Sequence, residues 1–306
     1  MPLTVTFVSN YINHHQIPFC EAMRKRLGDG FVFVQMEEME EERKKMGWED
    51  HSEELCWVLK WSEDRKEAER EMMSCDLLIA GWVPEIQDLL AKRLNIHRPV
   101  FQISERIYKD GQWKAISPKG LLHKYRAFTK FRREPYFLLC AGAYVPCDLG
   151  IIHAYPEKML RFGYFPETRE YAPGEPFSRK KKGSILWAAR MIDWKHPELV
   201  VKTAAYLKEH LKDHLEEIPF HITMIGGGEL EEEVHRLAEE LGVTDKITFA
   251  GFRGPEEVRA AMEESEIYLV TSDRKEGWGA VVNEAMNSGC AVVADHMIGA
   301  APWMIR

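Results

Sequence analysis

The chain has no apolar run as long as the roughly 18–20 residues that cross a bilayer as a helix. Its six cysteines (Cys20, Cys56, Cys75, Cys140, Cys147, Cys290) form no Cys-x-x-Cys pair, which leaves no zinc spacing and no redox dithiol motif. The opening "MPLTVTFVSNYINHHQ" lacks a basic stretch ahead of its apolar residues, so no secretory leader is expected. Scattered cysteines without such a leader read as reduced thiols of a cytoplasmic protein. A full G-x-G-x-x-G and a P-loop G-K-[ST] are both missing, as is an Asp-x-Asp pair of the kind that seats a metal. A net positive charge is also lacking: a formal net charge of −8 over 306 residues argues against a general nucleic-acid binder.

What is present is a regular alternation. Short β-branched runs are expected as strands at 3–8, 31–35, 76–81, 99–104 and 136–141, with helices near 16–27, 63–73, 85–94 and 118–133. The pattern resumes with strands at 184–189, 220–226, 246–251, 266–272 and 290–295, and helices near 197–211, 229–241, 255–264 and 279–288. Strands alternating with helices predict parallel sheets covered on both faces. The fold class is therefore α/β: two doubly wound, Rossmann-like domains, expected at 1–165 and 184–306 and facing a cleft at their strand ends, where such sheets bind ligands. Between them, "GYFPETREYAPGEPFSRKKKG" carries three prolines, three glycines and a basic cluster without periodicity, and 166–183 reads as a linker.

Several strand ends carry chemistry. After 184–189 come Arg190 and Lys195, just before a helix that Pro197 helps to start. Two cations there suit a diphosphate, Arg as a planar fork and Lys as a point charge, or are surface charges. After 220–226 comes a run of glycines that lets a ligand approach the backbone, or serves a tight turn. After 266–272 comes "EGWGAVVNEAMNSGCAVVA", with Glu276 in a glycine-rich turn and Glu284 on the helix that follows. Glu276 can hold a sugar hydroxyl. Glu284 can accept hydrogen bonds from a ribose diol, or is a solvated helix residue, although the apolar neighbours Ala285, Met286 and Cys290 favour burial.

In this order and spacing, these elements resemble the retaining, nucleotide-sugar-dependent glycosyltransferases of the GT-B fold, glycosyltransferase family 4 (group 1). The likeness covers about 184–306 and is weaker in the first half. It implies that Glu276 contacts the donor sugar, Glu284 the ribose, and Arg190 and Lys195 the diphosphate. The base is then expected near Gly227 and the turn at Gly251, Phe252 and Arg253, with Gly277, Trp278 and Gly279 completing the donor loop. Charge developing on the leaving phosphate is stabilised by the two cations and a helix N-terminus. No cofactor and no metal are expected, and no enzymatic nucleophile is assigned. Further sheet and helix are expected beyond Arg306, or else a partner that supplies the cover; unless something packs on them, Trp303, Met304 and Ile305 would be exposed.

In the first half, Asn10, Asn13, His14 and His15 follow the first strand and read as substrate contacts or helix capping. Glu105 and Arg106 stand where many family members carry a histidine. Glu105 is the expected acceptor-activating base with Arg106 binding acceptor; the alternative is a structural ion pair. From Trp113 to Arg133 there are seven Lys/Arg and no acid. Ser117 and Pro118 start a helix there, with Leu121, Leu122, Tyr125, Phe128 and Phe131 marking one side. A basic amphipathic helix at 117–133 suits either an anionic membrane surface on the cytoplasmic side or a docked surface position. The reading is a metal-independent hexosyltransferase moving sugar from a UDP- or GDP-sugar to a glycan or lipid-linked acceptor, as in bacterial surface-polysaccharide assembly. The alternatives are a nucleotide-sugar 2-epimerase and a sugar-nucleotide-binding protein without turnover.

Overall fold

Strands rich in Val, Ile, Leu and Phe with no polar alternation belong in the middle of a parallel sheet, where both faces are covered. The first strand shows this directly, since all five of its residues are buried. The computed structural model describes residues 2–45, 48–214 and 218–305. The chain divides into two units, Met1–Pro166 and Glu167–Arg306.

The first unit is built on seven strands: β1 (Val5–Ser9), β2 (Phe31–Gln35), β3 (Val58–Lys60), β4 (Leu77–Ala80), β5 (Val100–Ser104), β6 (Tyr136–Ala141) and β7 (Met159–Phe162). They are parallel throughout, in the order β3-β2-β1-β4-β5-β6-β7. Alternate residues feed two cores. Val5, Phe7, Phe31, Phe33 and Ile79 lie in one, and Val8, Val34, Leu78 and Ala80 in the other. The periodicity did not predict β3 and β7. Both are edge strands of three and four residues, paired on one side only and too short to show a pattern.

The second unit has five parallel strands, β8 (Lys181–Ala188), β9 (His221–Ile225), β10 (Ile247–Phe249), β11 (Ser265–Val270) and β12 (Ala291–Ala294), in the order β10-β9-β8-β11-β12. Its core joins Ile185, Trp187, Ile222 and Met224 to Val200, Val201 and Ala204 of the helix Pro197–His210.

Three local expectations are corrected. The stretch 166–183, read as a linker without periodicity, has structure of its own. It contains a short helix, Glu175–Ser178, and the start of β8. Arg169 pairs with Glu263 at 2.9 Å and with Glu256, and its backbone N–H donates to Asn287 at 2.8 Å. Lys180 donates to the carbonyls of Met262 (2.9 Å) and Ser288 (2.7 Å). The polar groups of the strap thus find partners on the second unit. The basic helix stops at Phe128 rather than 133, where the Thr129 hydroxyl donates to the Tyr125 carbonyl at 2.6 Å. Near the end of the chain, Trp303, Met304 and Ile305 are half-buried rather than exposed, with the Trp303 ring 6.1 Å from that of Trp278.

Candidate donor and acceptor sites

In the second unit two loops that follow strands are stitched together. The loop after β8 meets the loop after β11 through Asp273 N–H to the Trp194 carbonyl (3.0 Å) and the Thr271 hydroxyl to the Lys195 carbonyl (2.6 Å). His196 takes a left-handed conformation at the start of the helix Pro197–His210. Its ring lies 3.2 Å from Glu198 and 3.6 Å from Asp273. The result brings Lys195 onto Glu276, and the two form an ion pair with each side chain only 15% exposed. Lys195 also lies 4.3 Å from the centre of the Trp194 ring.

Arg190 and Glu284 differ from that pair. Each is half-buried, and neither side chain has a hydrogen-bond or ion-pair partner among the described residues. Burial pushes the Glu284 carboxyl up to about 7, with Arg259 and Arg169 pulling the other way. An unpartnered half-buried carboxylate is costly unless a ligand satisfies it.

The glycines divide by role. Gly226 has φ +125°, and an added Cβ would stand 2.0 Å from the Ala189 carbonyl oxygen; it is needed for the crossing of the β8 and β9 loops. Gly227 lies beneath Phe252, whose ring would be 3.2 Å from an added Cβ, and Phe252 itself is 58% exposed. Gly279 starts the helix Ala280–Asn287 at φ +88°, where a Cβ would meet Ile298 at 2.9 Å. Gly277 is buried beside it.

Two expected donor contacts are occupied otherwise. Trp278 is buried, and its indole N–H donates to Asn283 at 2.8 Å, so the ring is core and its polar handle is used. Arg253 turns back on its own loop, donating to the Phe252 carbonyl at 2.9 Å and lying 3.7 Å from Glu257.

The first unit holds a cavity of about 770 Å³ at the carboxyl ends of β1, β4 and β5, where Ser9, Gly81 and Ser104 line it. Asn10, His15, Glu105 and Arg106 are in its wall. His14 is not; it packs behind His15, ring centres 3.9 Å apart, and meets Trp48 edge-on at 4.5 Å. Burial pushes His14 down to about 4. Burial, with His14 and Arg43 adding to it, pushes His15 down to about 3. Both rings are therefore neutral near pH 7. Asn13 forms the turn before the helix Ile17–Leu27, its side-chain oxygen accepting from His15 N–H at 3.1 Å.

Glu105 is not a free base. Its two oxygens accept from the Tyr164 hydroxyl and from the Lys109 ammonium. Nor does it pair with Arg106. Arg106 lies against Asp148, donating from Nε at 3.2 Å and Nη2 at 3.1 Å. Asp148 is fully buried and also accepts from Tyr108 N–H at 3.2 Å and Gln112 at 3.1 Å. This network holds the loop after β5. Sequence reading did not single out Asp148, Trp48, Trp82, Tyr108 or Tyr164. Their only signal was being polar or aromatic at scattered positions.

Comparison with known proteins fits this geometry. Residues 169–306 match the sequence profile of the family described as Glycosyl transferases group 1. The matched residues span the second unit almost end to end. That unit has curated relatives. The D-inositol 3-phosphate glycosyltransferase of Corynebacterium urealyticum is 30% identical over 138 residues, which are 44% of this chain and 31% of that protein. The 2-deoxystreptamine glucosyltransferase of Streptomyces kanamyceticus is 28% identical over 140 residues, 42% of this chain and 34% of that protein. The matched segment thus spans about a third of these relatives. Among solved structures, Anabaena HepE in complex with UDP has a TM-score of 0.69 at 15% identity, over 99% of this chain and 84% of that one. The lipopolysaccharide outer core galactosyltransferase WaaB has a TM-score of 0.63 at 13% identity, again over 99% and 84%. These likenesses establish the GT-B fold. Among the described residues, no helix is long and apolar enough to cross a membrane.

Proposed function

We propose that this protein is a retaining, metal-independent glycosyltransferase that moves a hexose from a nucleoside-diphosphate sugar to a hydroxyl of a glycan or lipid-linked acceptor. The observation that carries the reading is the pair of unpartnered side chains, Arg190 and Glu284, in the unit that matches the group 1 profile. A diphosphate would satisfy the first and a ribose diol the second. Lys195 and Glu276, paired with each other in the same unit, would supply a cation for the leaving phosphate and a carboxylate for the donor sugar. In the transfer, the bond from the sugar's anomeric carbon to the diphosphate oxygen breaks and the leaving group keeps the electron pair. The acceptor oxygen bonds to that carbon and passes its proton to the departing diphosphate oxygen. Arg190, Lys195 and the N-terminal end of the helix Ala280–Asn287 would stabilise the departing charge.

HepE is described in complex with UDP, with UDP and glucose, and with UDP-glucose, so UDP-sugars are the first donors to try. The test is product analysis with UDP-, GDP- and ADP-sugars. Free nucleoside diphosphate plus a longer glycan supports transfer. An isomerised donor with no acceptor product would instead indicate epimerisation, and binding without turnover a sugar-nucleotide receptor.

A surface feature supports peripheral membrane contact. Trp113, Ile116 and Leu122 are 66%, 82% and 48% exposed, with Lys119, Arg126 and Lys130 exposed around them. Apolar side chains ringed by cations suit an anionic interface. The residues first expected to form that face mostly do not: Leu121 and Phe128 pack on the core and Phe131 is part of it.

A further inference from the structure

We infer that the cavity of the first unit takes an anionic acceptor, a saccharide or polyol carrying a phosphate ester or a carboxylate, with Lys124 as its charge partner. This rests on the glycosyltransferase reading for the word acceptor, but the anion site is argued from the cavity alone.

The chain as a whole is acidic, yet this wall holds four cations, Arg43, Arg106, Lys109 and Lys124, against two carboxylates, Glu105 and Asp110. Two of the cations are already matched: Lys109 by Glu105, and Arg106 by the buried Asp148 behind the wall. Arg43 lies over the Trp48 ring at 4.9 Å and 3.7 Å from Glu40. Lys124 has no hydrogen-bond or ion-pair partner among the described residues. Its ammonium lies 5.3 Å from the centre of the Phe128 ring and 6.0 Å from that of Tyr108. Aromatic faces compensate a half-buried ammonium only in part.

Other groups in the same wall are also unsatisfied. Among the described residues, the buried Nη1 of Arg106 (7% exposed), the Tyr108 hydroxyl and His15 Nδ1 have no hydrogen-bond partner. Each such atom costs on the order of 1–3 kcal/mol if nothing fills its valence. The guanidinium and the ammonium only donate. A neutral sugar hydroxyl brings a donor with every acceptor, whereas phosphate and carboxylate oxygens bring acceptors alone. The donor-only groups therefore favour the anion. Trp82, 63% exposed, lies stacked on Phe128 with centroids 5.5 Å apart. Its position in the wall supplies a flat apolar face for the carbon side of the ligand.

The test titrates glucose, glucose 6-phosphate, glucuronate, phosphatidylglycerol vesicles and UDP into the full chain by calorimetry. Both anionic sugars should bind about tenfold or more tightly than glucose, a preference that weakens as salt rises. Lys124→Gln keeps a polar side chain without the charge and should remove most of that preference while UDP affinity and melting temperature stay the same. Equal affinity for glucose and its anionic counterparts would overturn the assignment. So would a preference that survives Lys124→Gln, or an anion response confined to the vesicles. Failure of UDP to bind, with the anionic preference intact, would sink the donor reading and leave the cavity assignment standing.

Discussion

Lys195 and Glu276, 81 positions apart in the chain, form a half-buried ion pair in the second unit. The expectation from sequence was one cation for the diphosphate and one carboxylate for the sugar. The structure adds that the two side chains pair with each other. On the proposed donor reading, a diphosphate at Lys195 would compete with Glu276.

The first prediction follows from that competition. Glu276→Gln should leave UDP affinity unchanged or raise it a few-fold, because Lys195 is released, while transfer from UDP-glucose falls by at least about tenfold. Lys195→Ala should weaken UDP itself. Calorimetry with UDP and UDP-glucose on both variants separates the roles. A Glu276→Gln variant that lost bare UDP as severely as UDP-glucose would contradict the account.

The second concerns Glu284. Its carboxyl is raised to about 7 by burial, so the folded state holds the proton more tightly than the unfolded chain does. The stability this gives is complete below the unfolded value and is lost as pH rises through about 7. At about 1.4 kcal/mol per pKa unit, roughly 3 kcal/mol is at stake. Glu284→Gln should therefore raise the melting temperature at pH 8 and have little effect at pH 4.5, while weakening UDP at both. A variant no more stable than wild type at pH 8 would show that the carboxylate is solvated after all.

His14 and His15 give the opposite sign. Both are lowered, to about 4 and about 3, with burial the first cause in each. The unfolded chain binds protons more readily here, so stability is full above about pH 6.5 and falls as pH drops toward those values. His15→Phe should flatten the acid limb of the first unit's unfolding curve. An unchanged limb in circular dichroism melts from pH 7 to 4 would count against burial as the cause.

A fourth prediction tests the charge model of leaving-group stabilisation. Transfer should survive EDTA, and Arg190→Ala should reduce it by roughly a hundredfold, the usual cost of losing one preorganised charge at a reacting centre. An absolute need for added magnesium or manganese would replace the cations with a metal.

The membrane contact is checked with anionic vesicles. Charge reversal at Lys119, Arg126 and Lys130, which are exposed, should reduce co-sedimentation most at low salt. Lys124 belongs to the cavity wall instead. Wild-type protein that ignores such vesicles would reduce the helix Pro118–Phe128 to a surface element.

Among the described residues, the periodicity of the chain was enough to read ten of the twelve strands and the parallel α/β class, because a central parallel strand is buried on both faces and must be apolar along its length. The order of Arg190, Lys195, Glu276 and Glu284 along strand ends was legible for a similar reason: topology places strand ends where ligands bind, and sequence order follows topology. Pairing was not legible. Nothing local distinguishes Lys195, which is paired, from Arg190, which is not, or shows that Trp278 is used by Asn283 and Glu105 by Tyr164 and Lys109. Those outcomes depend on which side chains meet across loops that are tens of residues apart. By itself, the sequence determined the class of fold and the strand ends that carry its polar groups. Only the tertiary structure decided which of those groups remain unsatisfied and so available to a ligand, because hydrogen bonds and ion pairs are made by proximity in space, to which order along the chain is blind.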